Sequence, residues 1–162
     1  QDRSVFKDKR TGWYYKIWGE NYTPTHHFLS ALKSGFYENF APLVALIFDQ
    51  EDRCRGYVTY ECIPFYKAPV LIKDGTFAPY AQQGKAYRTF FDNLIARIKK
   101  TGFVYTDFIP SNVVYFQGHY VIIDLESVCP LGQLSPYFFM QNKLSLREYQ
   151  ETIKKIIGER KY

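Results

Sequence analysis

Between Val104 and Ser127 the chain reads "VYTDFIPSNVVYFQGHYVIIDLES". No other stretch limits the fold as tightly. The short runs "VVYF" and "YVIID" flank the turn "QGH", a pattern of β-branched and aromatic residues that predicts a β-hairpin. Val121, Ile122 and Ile123 follow one another without a polar break, the mark of a buried strand. Yet Asp107 and Asn112 stand just before the hairpin and Asp124 closes it. Asp, Asn and Pro punctuate loops in any protein, so each residue alone is ordinary turn chemistry. Three such groups around one buried hairpin ask for a common reason.

The chain has 162 residues, which suits one domain or two small lobes sharing an interface. A chain of this size removes roughly 68–70% of its unfolded surface from water, enough for a real core. Fifteen Tyr, 14 Phe and 2 Trp can fill that core with few residues, which fits a shortened fold. The net charge of +5 is compatible with phosphate-bearing ligands or nucleic acid and selects neither. Cys54, Cys62 and Cys129 show no CxxC or Cys/His spacing, which argues against a disulfide scaffold and for a reducing compartment such as the cytoplasm. No apolar run approaches the ~18 residues that a membrane span needs. No signal-peptide pattern is visible, although the chain opens on Gln1 and leaves room for a trimmed upstream segment.

The order of elements follows from periodicity. Residues 4–8, the turn "KRTG" and "WYYKIW" predict a first hairpin. In "THHFLSALKSGFYENF", Phe28, Ala31, Leu32, Gly35 and Phe36 recur at helical spacing, with Thr25 as the N-cap. "LVALIFD" and "CRGYVTYEC" read as strands around the polar turn "QEDR". "IPFYKAP" is a connector. "KAYRTFFDNLIARIKK" carries Tyr87, Phe90, Phe91, Leu94, Ile95 and Ile98 on one stripe and predicts an amphipathic helix. After the central hairpin, "SVCPLGQLSPYFFMQNK" reads as irregular, and "SLREYQETIKKIIGERKY" as a helix with a capping box from Ser145 to Glu148. The fold class is α+β, divided into a β-rich lobe over 1–62 and a mainly helical lobe over 63–162.

Taken in order, these pieces resemble the protein-kinase-like superfamily of phosphotransferases. A lysine-bearing sheet is followed by a helix and a connector. Then comes "DFIPSN", which matches the family's catalytic loop at Asp107, Pro110 and Asn112, and a hairpin ending at Asp124. The triplet "DLE" is closer to the small-molecule and lipopolysaccharide-sugar kinases of that group than to protein kinases. The resemblance implies a bilobal fold, ATP and Mg²⁺ as cofactors, and a hydroxyl-bearing acceptor. It assigns proton acceptance to Asp107 and phosphate contact to Lys16. Asn112 and Asp124 are hard oxygen ligands of the kind Mg²⁺ takes. Tyr60 would shape the back of the adenine pocket, and the backbone of Glu61 and Ile63 would hydrogen-bond the base. Glu38 is the expected partner of Lys16, with His27 as its substitute.

Several positions depart from that pattern. No glycine-rich phosphate loop is visible, so Lys7, Lys9 and Arg10 are further candidates for phosphate contact. Tyr105 and Thr106 replace the His-Arg before the catalytic Asp, and Ile109 stands where protein kinases place a lysine. Only one helix is expected after the irregular stretch, which argues against a peptide platform. A catalytically inactive pseudokinase that binds nucleotide or a partner is the alternative. A nucleic-acid-binding hairpin, "KDKRTGWYYKIW", is a third reading, which the acidic trio disfavours.

Overall fold

The computed structural model describes residues 3–21, 27–64, 80–117, 119–143 and 146–160. Strands β1 (Arg3–Lys7) and β2 (Tyr14–Trp18) form the expected hairpin, with Phe6 opposite Tyr15 and their rings stacked at 5.1 Å. Asp8 shapes the turn: its carboxylate accepts from the Arg10 amide at 2.9 Å and the Thr11 hydroxyl at 3.0 Å.

Helix α1 spans His27–Ser34, shorter than the expected run to Phe40. Gly35, at φ 83°, takes the left-handed conformation that glycine adopts at no steric penalty, and the chain continues as a 3-10 turn over Phe36–Asn39. The Thr25 cap lies outside the described residues. Strands β3 (Leu43–Phe48) and β4 (Cys54–Thr59) then complete an antiparallel sheet in the order β1-β2-β4-β3. Lys16 is central in it, with Val5 on one side and Tyr57 on the other.

The chain leaves this sheet through β5 (Ile63–Pro64), which opens a second sheet of order β5-β7-β8. The rest of the expected connector, residues 65–69, lies outside the described residues. Helix α2 runs over Tyr80–Thr101 and packs against β8 (His119–Ile122) of the central hairpin, whose other strand is β7 (Val113–Phe116). Before that hairpin, β6 (Phe103–Tyr105) pairs antiparallel with β9 (Val128–Pro130). The stretch expected to be irregular therefore holds a strand, a 3-10 turn over Leu131–Gln133 and a short helix α3 (Tyr137–Met140). Helix α4 spans Arg147–Arg160. Ser145 of the expected capping box is not among the described residues, and the Glu148 carboxylate accepts from Arg88 at 2.7 and 3.2 Å.

The protein is thus mixed α+β, with a small antiparallel sheet and four α-helices among the described residues. One apolar cluster runs from Trp18 and Phe28 through Tyr87, Leu94 and Ile122 to Ile153 and Ile156, across the expected 62/63 boundary. The surplus of rings is spent there: Phe108 stacks on Tyr149 at 4.6 Å, and Phe40 meets Tyr105 edge-on at 5.3 Å. Among the described residues, no helix is long and apolar enough to cross a membrane.

Candidate functional site

Side chains alternate across a strand, so Tyr14, Lys16 and Trp18 share one face of β2. Trp18 is buried against Phe28, with ring centroids 5.5 Å apart, so that face looks inward. Lys16 must therefore send its ammonium into the protein. It ion-pairs there with Asp124 and with Glu126, the latter at 2.5 Å, and lies 5.8 Å from the centroid of the Tyr57 ring. The lysine side chain is 14% exposed and that of Glu126 is 0% exposed. Two carboxylates converge on one largely buried cation.

The turn carrying both carboxylates is fastened by residues distant in sequence. The Ala41 amide donates to the Ile122 carbonyl at 2.7 Å, and the Tyr37 hydroxyl to the Leu125 carbonyl at 2.6 Å. The Tyr57 hydroxyl accepts from the Leu125 amide at 3.2 Å and donates to Glu126 Oε2 at 2.8 Å. Burial, and after it the charge of Glu126, pushes both phenols well above the usual tyrosine range. They act as neutral hydrogen-bonding groups.

Asp107 and Asn112 are joined by local backbone bonds. The Ile109 amide donates to the Asp107 carbonyl at 2.9 Å, and the Asn112 amide to the Ile109 carbonyl at 3.0 Å, closing a 3-10 turn over Pro110–Asn112. Asn112 Nδ2 donates to Asp107 Oδ2 at 2.9 Å and to the Asp107 carbonyl at 3.0 Å. A carboxylate only accepts, so this contact fixes the amide's orientation and leaves Oδ1 as its acceptor. The loop is tied to the Asp124 turn at three points: Ile123 amide to Asn112 carbonyl at 3.1 Å, and the Thr106 amide and hydroxyl to the Ser127 carbonyl at 2.9 and 3.1 Å. Within the turn, the Ser127 hydroxyl donates to Asp124 Oδ2 at 3.4 Å. The fully buried Tyr105 hydroxyl has no hydrogen-bond partner among the described residues. Burial, with the charges of Asp124 and then Asp107, pushes that phenol far up. One buried group therefore feels both carboxylates.

The residues predicted from sequence divide into two sets. Lys16 and Asp124 meet directly, and Asp107 with Asn112 sits on the loop bonded to the same turn. Glu38 does not take up the expected pairing: it ion-pairs with Arg97 of α2. The reason is Gly35, which ends α1 early and turns Glu38 toward α2. His27, its expected substitute, is hydrogen-bonded to Gln133 at 3.0 Å. Tyr60 is 43% exposed and tilts over Phe116 at 5.9 Å. The Glu61 carboxylate is exposed and bonded to Lys7 at 2.8 Å, and Ile63 pairs with Tyr115 across β5 and β7. Sequence reasoning missed Glu126, Tyr57, Tyr37 and Ser127. Only Glu126 left a signal, as a second acidic residue two positions beyond Asp124.

A cavity of about 720 Å³ lies elsewhere, between Phe40, the Lys85–Asn93 part of α2 and the hairpin residues Phe116, His119 and Tyr120. None of the acidic cluster lines it. Among the described residues, no three His, Cys, Asp or Glu side chains are grouped to cage a metal by themselves. Mg²⁺ needs no such cage, because it keeps waters and binds through one or two protein oxygens plus substrate phosphates. Asn112 Oδ1 and the Asp124 carboxylate fit that requirement as oxygen donors on adjoining, mutually bonded segments. No protein-family model matches this chain, and no curated protein matches it.

Proposed function

We propose that this protein is a compact phosphotransferase of the protein-kinase-like kind, moving the γ-phosphate of ATP to a hydroxyl acceptor with Mg²⁺. The observation that carries the reading is the meeting of Lys16 with Asp124, 108 positions away, on a turn bonded to the Asp107–Asn112 loop. Phosphoryl transfer asks a protein chiefly to position reactants and neutralise charge on phosphate oxygens. The cluster holds one residue suited to each task. Asp107 takes the proton of the acceptor hydroxyl, and its carboxylate is aimed by Asn112 Nδ2. Lys16 supplies positive charge to the phosphates. Asp124 and Asn112 Oδ1 would hold Mg²⁺, which would supply positive charge to offset the charge of the phosphates. The β-rich segment over 1–62 and the remainder form the two lobes of this reading.

The test is ADP release from Mg-ATP across a panel of sugar, small-molecule and peptide hydroxyl acceptors. D107A should lower turnover by about 10²–10⁴-fold, the usual contribution of a general base. Undiminished turnover in that variant removes Asp107 from the chemistry. A second reading, a nucleotide-binding module without transfer, is favoured by one observation: Lys16 already has two carboxylate partners. It predicts thermal stabilisation by Mg-ATP, about 2.7 kcal/mol at 100 times the dissociation constant, with no ADP formed.

A further inference from the structure

We infer that Glu126 is the positioning residue for Lys16, taking the place expected of a helix glutamate, and that Asp124 is the lysine's exchangeable partner. The inference rests on the phosphotransferase reading for its purpose, but its geometry stands without it. Helix α1 reads "HFLSALKS" and offers no carboxylate, while Glu38 is engaged by Arg97. Glu126 is held through both oxygens: Oε1 to Lys16 Nζ at 2.5 Å and Oε2 to the Tyr57 hydroxyl at 2.8 Å. Tyr57 is itself fixed, by the Leu125 amide at 3.2 Å and by Phe28 and Trp18 at ring distances of 5.7 and 5.9 Å. The Glu126 end of the contact is therefore rigid.

Asp124 is held differently. Its side chain keeps 9% exposure, and its second oxygen has a long 3.4 Å contact from Ser127. A cation arriving at Asp124 competes with Lys16 for the same carboxylate. Glu126, fully buried and tied to Tyr57, retains the ammonium while Asp124 turns to the newcomer. Lys16 then stays beside the phosphates instead of swinging toward solvent. This arrangement also makes Glu126 an anchor rather than a metal ligand.

Competitive acetylation of the unliganded protein, read by mass spectrometry, tests this directly. Lys16 labelling is compared with that of the exposed Lys33, Lys99 and Lys154. E126Q keeps a group for Tyr57 to contact but removes the charge, and should raise relative Lys16 labelling about tenfold, the ratio of one lost charge-assisted contact. E38Q should leave it unchanged, and D124N should raise it far less than E126Q. Equal labelling in E126Q and E38Q overturns the inference, as does a D124N effect matching that of E126Q. Near-UV circular dichroism checks folding; should E126Q fail to fold, Y57F loosens the same carboxylate and should give an intermediate increase. The kinetic arm expects E126Q to raise KM for Mg-ATP about tenfold, the loss of the same contact, with kcat less affected. Absence of any ADP release with the labelling pattern intact sinks the phosphotransferase reading and leaves the tether; a collapsed pattern with normal turnover does the reverse.

Discussion

Tyr57 shows how much can hang on one hydroxyl. It accepts from the Leu125 amide and donates to Glu126 Oε2, both in buried surroundings. Y57F removes both hydrogen bonds at once, and losing buried bonds of this kind costs about 1–3 kcal/mol. Urea unfolding of Y57F should show a loss in that range with an unchanged slope. The same residue marks the boundary of what sequence could reveal. Asp107, Asn112 and Asp124 are legible because their spacing is local and a hairpin joins them. Tyr57 is one of fifteen tyrosines, and its importance depends on which strand lies beside β2. Glu38 misled for a related reason: helical spacing continues through Gly35 on paper, while the backbone turns there.

Among the elements, β4 lies close against β2 at Gly56. A Cβ at that position would overlap the Lys16 carbonyl, a backbone atom that cannot step aside. G56A should therefore force the two strands apart under Lys16 and destabilise the protein by about 1–3 kcal/mol or more, the usual range for overpacking. Gly158 of α4 is the opposite case, with nothing near its added methyl, and G158A should stabilise by about 0.4–1 kcal/mol. Thermal melts of the two variants should move in opposite directions. Long periodic elements were readable in advance: both early hairpins, α2 and α4 follow their apolar pattern. The β6–β9 ladder was not, because three-residue strands are too short for a period to show, and partners more than twenty positions apart pair only in the folded chain.

At the scale of the whole molecule, the aromatic core sets the response to base. Tyr37, Tyr57, Tyr105 and Tyr149 are all pushed above the ordinary value of 10.0, in each case chiefly by burial. Cys62 rises from 9.0 to about 11 through burial and then the neighbouring charge of Glu61. Between those ordinary values and the raised ones, the folded chain binds more protons than the unfolded chain. Stability is therefore fully present below about pH 9 and falls as pH rises through about 11, the window set by Cys62 with the tyrosines adding above 10.0. Urea midpoints measured from pH 8 to 11 should decline across that window; a midpoint that climbs there contradicts the burial of these groups. The fastening of the Asp124–Glu126 turn by Ala41, Tyr37 and Tyr57 has a mechanical consequence as well. The strand beneath Lys16 and the turn facing it are thus stitched into one frame, so the spacing of these charges is set by the fold itself.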